Sequence, residues 1–318
     1  MSEPAPLVVI LGPTASGKSA LAIEVARRWH GEILCCDSTQ LYRHFDAGTS
    51  KVLGEEQRGI PHHLMDLLEP HEISTAGEYR RRALEVLAEV RSRGRLPVLT
   101  AGTGLYLRAL LEGLADAPAR SEELRERLRR RARSRGSEYL HRMLSRLDPP
   151  SAARIAPGDA SKLIRAIEVC LISGRPMSEV LRRPRPRLEG FLPVKIGLMP
   201  SRAALSGRIE RRTRAMLAAG WLDEVRSLVA SGLDPAVKPF QFIGYGELRA
   251  HLAGVVDLET AVRAILQATR RYAKRQITWF RREPNVEWLE GFGDDPAVTA
   301  KALEMLAGRI ERPSAAAG

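Results

Sequence analysis

The segment Gly12-Pro13-Thr14-Ala15-Ser16-Gly17-Lys18-Ser19 constrains this chain more than any other. It fits G-x-x-x-x-G-K-[ST] in full and follows directly on the apolar run Leu7-Val8-Val9-Ile10-Leu11. A continuous apolar run of this length marks a strand buried on both faces. A helical stretch then extends from about Lys18 to His30, with Leu21, Val25 and Trp29 on one face and Gly31 as its C-cap. The glycines let the backbone curl so that its N–H groups converge on phosphate oxygens. The positive end of the helix stands behind them. Lys18 adds a mobile positive charge, and Ser19 supplies a hydroxyl that can hold Mg²⁺. Strand, loop and helix together predict a site for a di- or triphosphate.

The remaining pattern extends this unit into an α/β core. Glu32–Cys36 and Leu96–Thr100 read as further buried strands, and Val194–Met199 as a fourth. Thr75-x-x-Glu78 is a capping box that opens a helix running to about Arg93, stopped by Gly94. Another apolar helix starts near Leu105. Strand and helix alternate, which requires a parallel sheet with crossover helices. From about Pro118 to Pro186 no strand is apparent. Arg-rich helical stretches are broken there at Gly136, Asp148-Pro149-Pro150, Pro157-Gly158 and Gly174, and Arg182–Arg187 (RRPRPR) reads as a connector. The fold class is therefore α/β: a P-loop-type parallel-sheet core with flanking helices over residues 1–116 and 191–318, and an inserted all-helical subdomain over 117–190. The tail from Glu311 is expected to fray.

Composition narrows the compartment and the partners. Three cysteines, two of them adjacent, argue against both a disulfide framework and a zinc site. The N-terminus lacks a basic leader and no run reaches the length of a membrane span, so a cytoplasmic chain with no membrane partner is expected. Lysine and arginine total 50 against 38 acids, and only seven of the 50 are lysine. A net charge of +12 suits a polyanion, although a GC-rich genome also raises arginine.

In open α/β sheets, ligands bind beyond the carboxyl ends of the strands. The phosphate loop, Asp37 and Thr103 all fall there. Asp37 reads as a general base, a metal-water ligand or the cap of its own Asp-Ser turn. Thr103, set between glycines, reads as a ligand contact or a helix N-cap. Arg208 and Arg212 share one helix face at i, i+4, where they can neutralise a leaving diphosphate or form a solvated basic surface. The usual occupant of such a loop is ATP or GTP, as in a kinase. The third strand nevertheless ends in Thr100-Ala101-Gly102-Thr103, without the carboxylate that supports Mg²⁺ in such enzymes.

Taken together these residues resemble the tRNA dimethylallyltransferase family, bacterial type. The matching segments are GPTASGKSALA, DSTQLYRHFDAGTSK (37–51), PHHLMDLLEP (61–70), AGTGLYLRALLEGL (101–114), ARIAPGDASKLIRAIEV (153–169), FIGYGEL (242–248) and ATRRYAKRQITWFR (268–281). The resemblance implies transfer of a dimethylallyl group from dimethylallyl diphosphate to N6 of the adenine just 3′ of the anticodon, in tRNAs reading codons that begin with U. Pyrophosphate is released, with Mg²⁺ as cofactor. It implies Asp37, Thr103 and Arg212 as catalytic residues and Gly12, Pro13, Thr14, Ala15, Ser16, Gly17, Lys18, Ser19 and Arg208 around the diphosphate. Ser19 becomes the metal contact. Asp37, Ser38, Thr39, Gln40 and Thr103 meet the flipped-out base, while Arg125, Lys162, Arg165, Gln241 and Tyr245 lie in tRNA-contacting segments. The helical insertion becomes a tRNA-binding subdomain.

Two basic stretches agree with an RNA partner. Residues 120–135 hold eight arginines against three glutamates, and residues 261–282 hold seven basic residues and no acid. Within the second, Arg263, Arg270, Lys274 and Arg281 follow helical spacing opposite Val262, Ile265, Tyr272 and Trp279. Arg270 and Lys274 are thus candidate phosphate-backbone contacts. A monomer is expected. The competing readings are a P-loop kinase of a small metabolite, with Asp37 as base to a hydroxyl, and a non-enzymatic RNA-binding protein.

Overall fold

The structure, a computed structural model, describes residues 3–310. The tail from Glu311 lies outside them. In chain order the elements are β1 (Ala5–Leu11), α1 (Lys18–Arg28), β2 (Gly31–Cys36), β3 (His62–His63), α2 (Ala76–Ser92), β4 (Leu96–Ala101) and α3 (Gly104–Glu112). Five helices follow: α4 (Glu122–Arg135), α5 (Ser137–Leu147), α6 (Pro149–Ala152), α7 (Ala160–Ser173) and α8 (Met177–Val180). The chain closes with β5 (Phe191–Leu198), α9 (Arg202–Ala218), α10 (Trp221–Ala230), α11 (Tyr245–Leu252), α12 (Leu258–Phe280), β6 (Val286–Leu289) and α13 (Pro296–Ile310). Two compact units result, one of residues 1–111 and 188–318 and one of residues 112–187.

The first unit carries a six-stranded sheet in the order β3-β2-β4-β1-β5-β6, parallel at every pairing. β1 sits between β4 and β5, with Val8 opposite Val98 on one side and Val194 on the other. Alternate residues of β1 feed two cores. Leu7, Val9 and Leu11 join the core that contains Leu34, Leu99, Leu107 and Leu87. Val8 and Ile10 face Leu21, Val25, Val98, Ile196 and Leu306 in the other. Each such fully buried aliphatic contributes about 1.5–3 kcal/mol. All five of these β1 residues are fully buried, so this short run anchors the sheet from within.

Local chemistry accounts for several boundaries. Thr75 accepts the Glu78 N–H at the start of α2, and Gly94 just past its end is left-handed (φ 64°). α1 stops at Arg28, short of the expected His30. Gly31 is correspondingly not a helix cap but the first residue of β2, where a Cβ would lie 2.7 Å from the Leu96 carbonyl oxygen. Glycine is needed there for close strand packing. Two strands escaped the sequence pattern, β3 and β6. Both lie at sheet edges, are short and are only half-buried over most of their length, so neither shows an apolar run.

The second unit is all-helical among the described elements, and its limits of 112–187 fall a few residues before the expected 117–190. Leu128, Leu140, Leu144, Leu163 and Ile167 form its core. The break expected at Asp148-Pro149-Pro150 separates α5 from α6, and the two prolines begin α6, where the first N–H groups have no intrahelical partner. Asp148 caps that turn and also accepts the Ser178 N–H and hydroxyl, although it is itself fully buried. Residues 182–187 have neither helix nor strand. Glu168 is likewise fully buried. It accepts two hydrogen bonds from Arg125 (2.8 and 2.7 Å), one from Arg165 (2.6 Å) and one from the Ser121 N–H. Burial opposes ionisation, yet these donors hold Glu168 down to about 2. All three cysteines are free and buried, and no described helix is long and apolar enough to cross a membrane.

Glu168→Ala should destabilise the helical unit by about 3 kcal/mol, because two guanidiniums lose a buried partner. Urea melts followed by circular dichroism should show the loss. Since the folded carboxyl is depressed, the wild-type contribution should persist above pH 4.5 and fade between about 4.5 and 2.

Candidate active site

Strand direction gathers the site at one edge. The carboxyl ends of β1, β2 and β4 deliver Gly12, Asp37 and Gly102 around a cleft of about 720 Å³ in the first unit. Its walls include Thr14–Ser19, Asp37–Gln40, Arg208 and Arg212 from α9, and Tyr272, Arg275 and Gln276 from α12.

The phosphate loop is built at close quarters. A Cβ on Gly12 would stand 2.9 Å from the Leu198 carbonyl oxygen. One on Gly17, which is left-handed at φ 86°, would stand 2.7 Å from the Gly293 nitrogen. Ala15 also adopts a left-handed conformation (φ 61°), held by packing among Leu205, Ile209, Val262 and Leu266. Strain of this kind persists only where the surroundings enforce it. Gly12 and Pro13 are buried and do not line the cleft. Their carbonyls instead receive Lys18 Nζ at 2.9 and 2.8 Å. Lys18 is therefore pinned, not mobile. Burial lowers its pKa to about 8, against the pull of Asp37 and with a further push from Arg212. Arg212 is lowered too, by burial first and then by Arg208. Lys18, Arg208 and Arg212 thus share the cleft with Asp37.

Asp37 closes an Asx turn through one oxygen: Oδ1 accepts the Thr39 N–H at 2.9 Å and the Thr39 hydroxyl at 2.8 Å. Its Oδ2 packs against Gly102, where any Cβ would collide with it. The next turn is tied to β2 through the N–H groups of Gly102 and Thr103, which both donate to the Cys36 carbonyl. Thr103 Oγ1 accepts the Ser38 N–H at 2.9 Å and donates to Ser38 Oγ at 3.2 Å. Its hydroxyl therefore braces the Asp37 turn from behind the cleft wall and does not cap α3. Sequence reasoning missed Gln276. This buried amide accepts the Thr14 N–H at 2.7 Å and donates to the Gly102 carbonyl at 2.8 Å, linking the phosphate loop to the β4 turn. A lone glutamine in a basic helix gives no signal of such a role.

The segment from Gln40 to Lys51 forms another wall. Gln40 Nε2 donates to the carbonyls of Thr49 and Ser50. Lys51, its side chain fully buried, donates to Asp46, Asp66 and the Tyr42 carbonyl. Glu224 accepts the N–H groups of Asp46 and Ala47 and the Tyr245 hydroxyl. Tyr245 is fully buried and also accepts the Gly48 N–H, so it anchors this loop from the core and cannot meet RNA. Trp221 lies between Gly48 and Gly244, and a Cβ on either would strike its ring.

The other expected tRNA contacts separate. Gln241 lines the cleft, exposed. Arg270 and Lys274 stand exposed on α12, with Arg270 3.4 Å from Glu210. Lys162 is exposed but paired with Asp159 at 2.6 Å. Arg125 and Arg165 are both committed to Glu168, a buried acid that the arginine count concealed, so one of their two charges is compensated.

Fold and cleft define an α/β protein with a phosphate-binding loop, an adjacent carboxylate and paired arginines. Over residues 40–283 the chain matches the family described as IPP transferase. It is 52% identical to the tRNA dimethylallyltransferase of Koribacter versatilis, covering 96% of this chain and 99% of that one. It is 50% identical to that of Solibacter usitatus, covering 95% and 98%. The crystal structure of the tRNA isopentenylpyrophosphate transferase from Bacillus halodurans superposes with a TM-score of 0.70 at 36% identity, covering 96% and 97%. A eukaryotic dimethylallyltransferase acting on tRNA shares the fold, with a TM-score of 0.82 at 24% identity over 97% and 80%. The chain belongs to the IPP transferase family.

Gly102→Ala should push Asp37 aside and lower kcat by about a hundredfold, with only a few degrees lost from Tm. Steady-state kinetics beside a thermal melt would check this. Anion affinity should be full below pH 8 and fall above it, as Lys18 loses its proton. Calorimetric titration with pyrophosphate across pH 6.5–9.5 should show that inflection in the wild type and not in Lys18→Ala.

Proposed function

We propose that this chain transfers a dimethylallyl group from dimethylallyl diphosphate to N6 of the adenine immediately 3′ of the anticodon, in tRNAs reading codons that begin with U. The observation that carries the reading is the meeting of Asp37 with Lys18 and Arg212 on the walls of one cleft. A carboxylate beside a diphosphate cradle suits a reaction that removes a proton at one end and releases an anion at the other. The names of the relatives favour the transferase over a small-metabolite kinase. So does β4, which ends at Ala101 and is followed by Gly102-Thr103, with no carboxylate of its own.

The chemistry follows from the placement. The adenine amine is a weak nucleophile, and Asp37 accepts its proton as the N6–C1 bond forms. The C1–oxygen bond breaks, its electron pair leaves on the diphosphate, and positive charge develops on the allylic carbon. Lys18, Arg212 and the N–H groups of the loop stabilise the departing anion. Ile209, Met216, Ile265 and Phe242 on the cleft wall supply apolar surface for the five-carbon group. The base must leave the anticodon-loop stack to reach Asp37, which single-stranded RNA permits at low cost.

Ser19 places one hydroxyl in the cleft. No cluster of three metal-ligating side chains exists among the described residues. Such a sparse set fits Mg²⁺, which binds one or two protein oxygens together with substrate phosphates. Bound there, Mg²⁺ would neutralise diphosphate charge. The exposed basic face of α12, with Arg270 and Lys274, supports backbone contact with the RNA. A tRNA substrate supports a cytoplasmic site of action.

The test is incubation with labelled dimethylallyl diphosphate, Mg²⁺ and unmodified tRNA. Label should appear on the RNA, and Asp37→Ala should lower the rate by 10²–10⁴ while tRNA binding persists. ADP release from ATP with no label on RNA would instead indicate a kinase.

A further inference from the structure

Residues 291–295 precede α13 and belong to no motif noted in the sequence, yet they form the outer support of the phosphate loop. The Gly293 N–H donates to the Ser16 carbonyl at 2.9 Å. The fit is tight: a Cβ on Gly17 would lie 2.7 Å from the Gly293 nitrogen and 2.8 Å from Asp294 Oδ1. Asp294 then takes Arg208 end-on, with Nη1 to Oδ1 at 2.6 Å and Nη2 to Oδ2 at 2.7 Å. The Arg208 guanidinium also lies over the Phe292 ring, 4.5 Å from its centroid. Phe292 itself packs on the apolar cluster of Ala15, Leu205 and Ile209. Arg208 lines the cleft and Asp294 does not.

We propose that Asp294 and Phe292 are positioning residues for the leaving-group end of the reaction, holding Arg208 at the cleft wall in register with the phosphate loop. The inference rests on the transfer reaction proposed above. An end-on pair uses two of the five guanidinium donors and leaves three for another anion. The carboxylate fixes the edge of the group and the ring fixes its plane, which little else could do for so flexible a side chain.

Electrostatics gives the arrangement a purpose. Arg208 and Arg212 are neighbours on one face of α9, and like charges one helical turn apart repel. Asp294, held below the usual carboxylate range chiefly by its hydrogen bond from Arg208, offsets that repulsion before any diphosphate arrives. Without it Arg208 would extend into water and would have to be recovered on each binding event, at a cost in affinity. Because Gly293 and Asp294 are adjacent, the same five residues set both the curl of the loop and the position of the arginine.

The test is a double-mutant cycle on the full chain with Asp294→Asn, Arg208→Ala and both together. Each is measured by steady-state transfer and by calorimetric binding of Mg²⁺-pyrophosphate. Asp294→Asn should weaken pyrophosphate binding and raise the KM for dimethylallyl diphosphate about tenfold, leaving the KM for tRNA unchanged. In the Arg208→Ala background it should add less than about twofold. Phe292→Leu, which keeps the apolar packing, should raise the same KM about threefold; it carries the test alone should Asp294→Asn not fold. Independent, multiplying effects would overturn the proposal. So would unchanged pyrophosphate binding, an equal loss in tRNA KM, or an unaltered KM in Phe292→Leu. A wild type that couples Arg208 to Asp294 in pyrophosphate binding yet transfers nothing to tRNA would overturn the reaction and leave the positioning role standing.

Discussion

The structure of the first unit depends on the burial of β1 from both faces. A strand with no exposed side can only be central, and here β4 and β5 flank it in parallel. Parallel neighbours send their carboxyl ends to one edge, so the loops after β1, β2 and β4 converge without further instruction. Asp37 stands beside the phosphate loop because β2 and β1 both pair with β4. Chemistry at that edge is a consequence of packing in the middle.

Around the cleft, hydrogen bonds between distant segments fix what the strands only bring near. Gln276 joins the loop after β1 to the turn after β4, and Thr103 joins that turn to the one after β2. Glu224 and Lys51 both grip the wall segment at Asp46, one through its N–H and the other through its carboxylate. Each of these groups is wholly or partly buried and fully engaged, so each costs heavily when left with half its partners. The cleft is held by this polar network set on an apolar sheet, within which the buried Ser16 hydroxyl and Trp221 indole N–H make no hydrogen bond.

Much of this was legible from the residues. Leu7–Leu11 with Gly12–Ser19 specified strand, turn and helix by patterns that act over a few residues. The capping box at Thr75 and the breaks in the helical insertion did the same. Legibility failed where a role arises from partners far along the chain. Gln276 lies 262 positions from Thr14, and Arg208 lies 86 from Asp294. Arginine was misleading in the other direction. Arg125 and Arg165 looked like two free charges because the acid that binds both, Glu168, is hidden in α7 among apolar residues. Tyr245 sat in a segment matched to RNA contact, but an aromatic beside a left-handed glycine packs inward here. Short edge strands left no pattern because two residues of half-buried histidine have no periodicity to read.

The indole of Trp221 has a consequence for how this cleft can vary. It fills the space between Gly48, on the cleft wall, and Gly244, before α11, leaving no room for a side chain at either. Three positions spread over nearly two hundred residues therefore behave as one unit of inheritance. A larger residue at 48 requires both the Trp221 and the Tyr245 rings to yield, Gly244 at φ 97° strains any side chain whatever its neighbours, and a smaller 221 alone opens a void beneath the wall. Change in the shape of this wall must arrive as a correlated set, so the wall should drift far more slowly than the exposed surface around it.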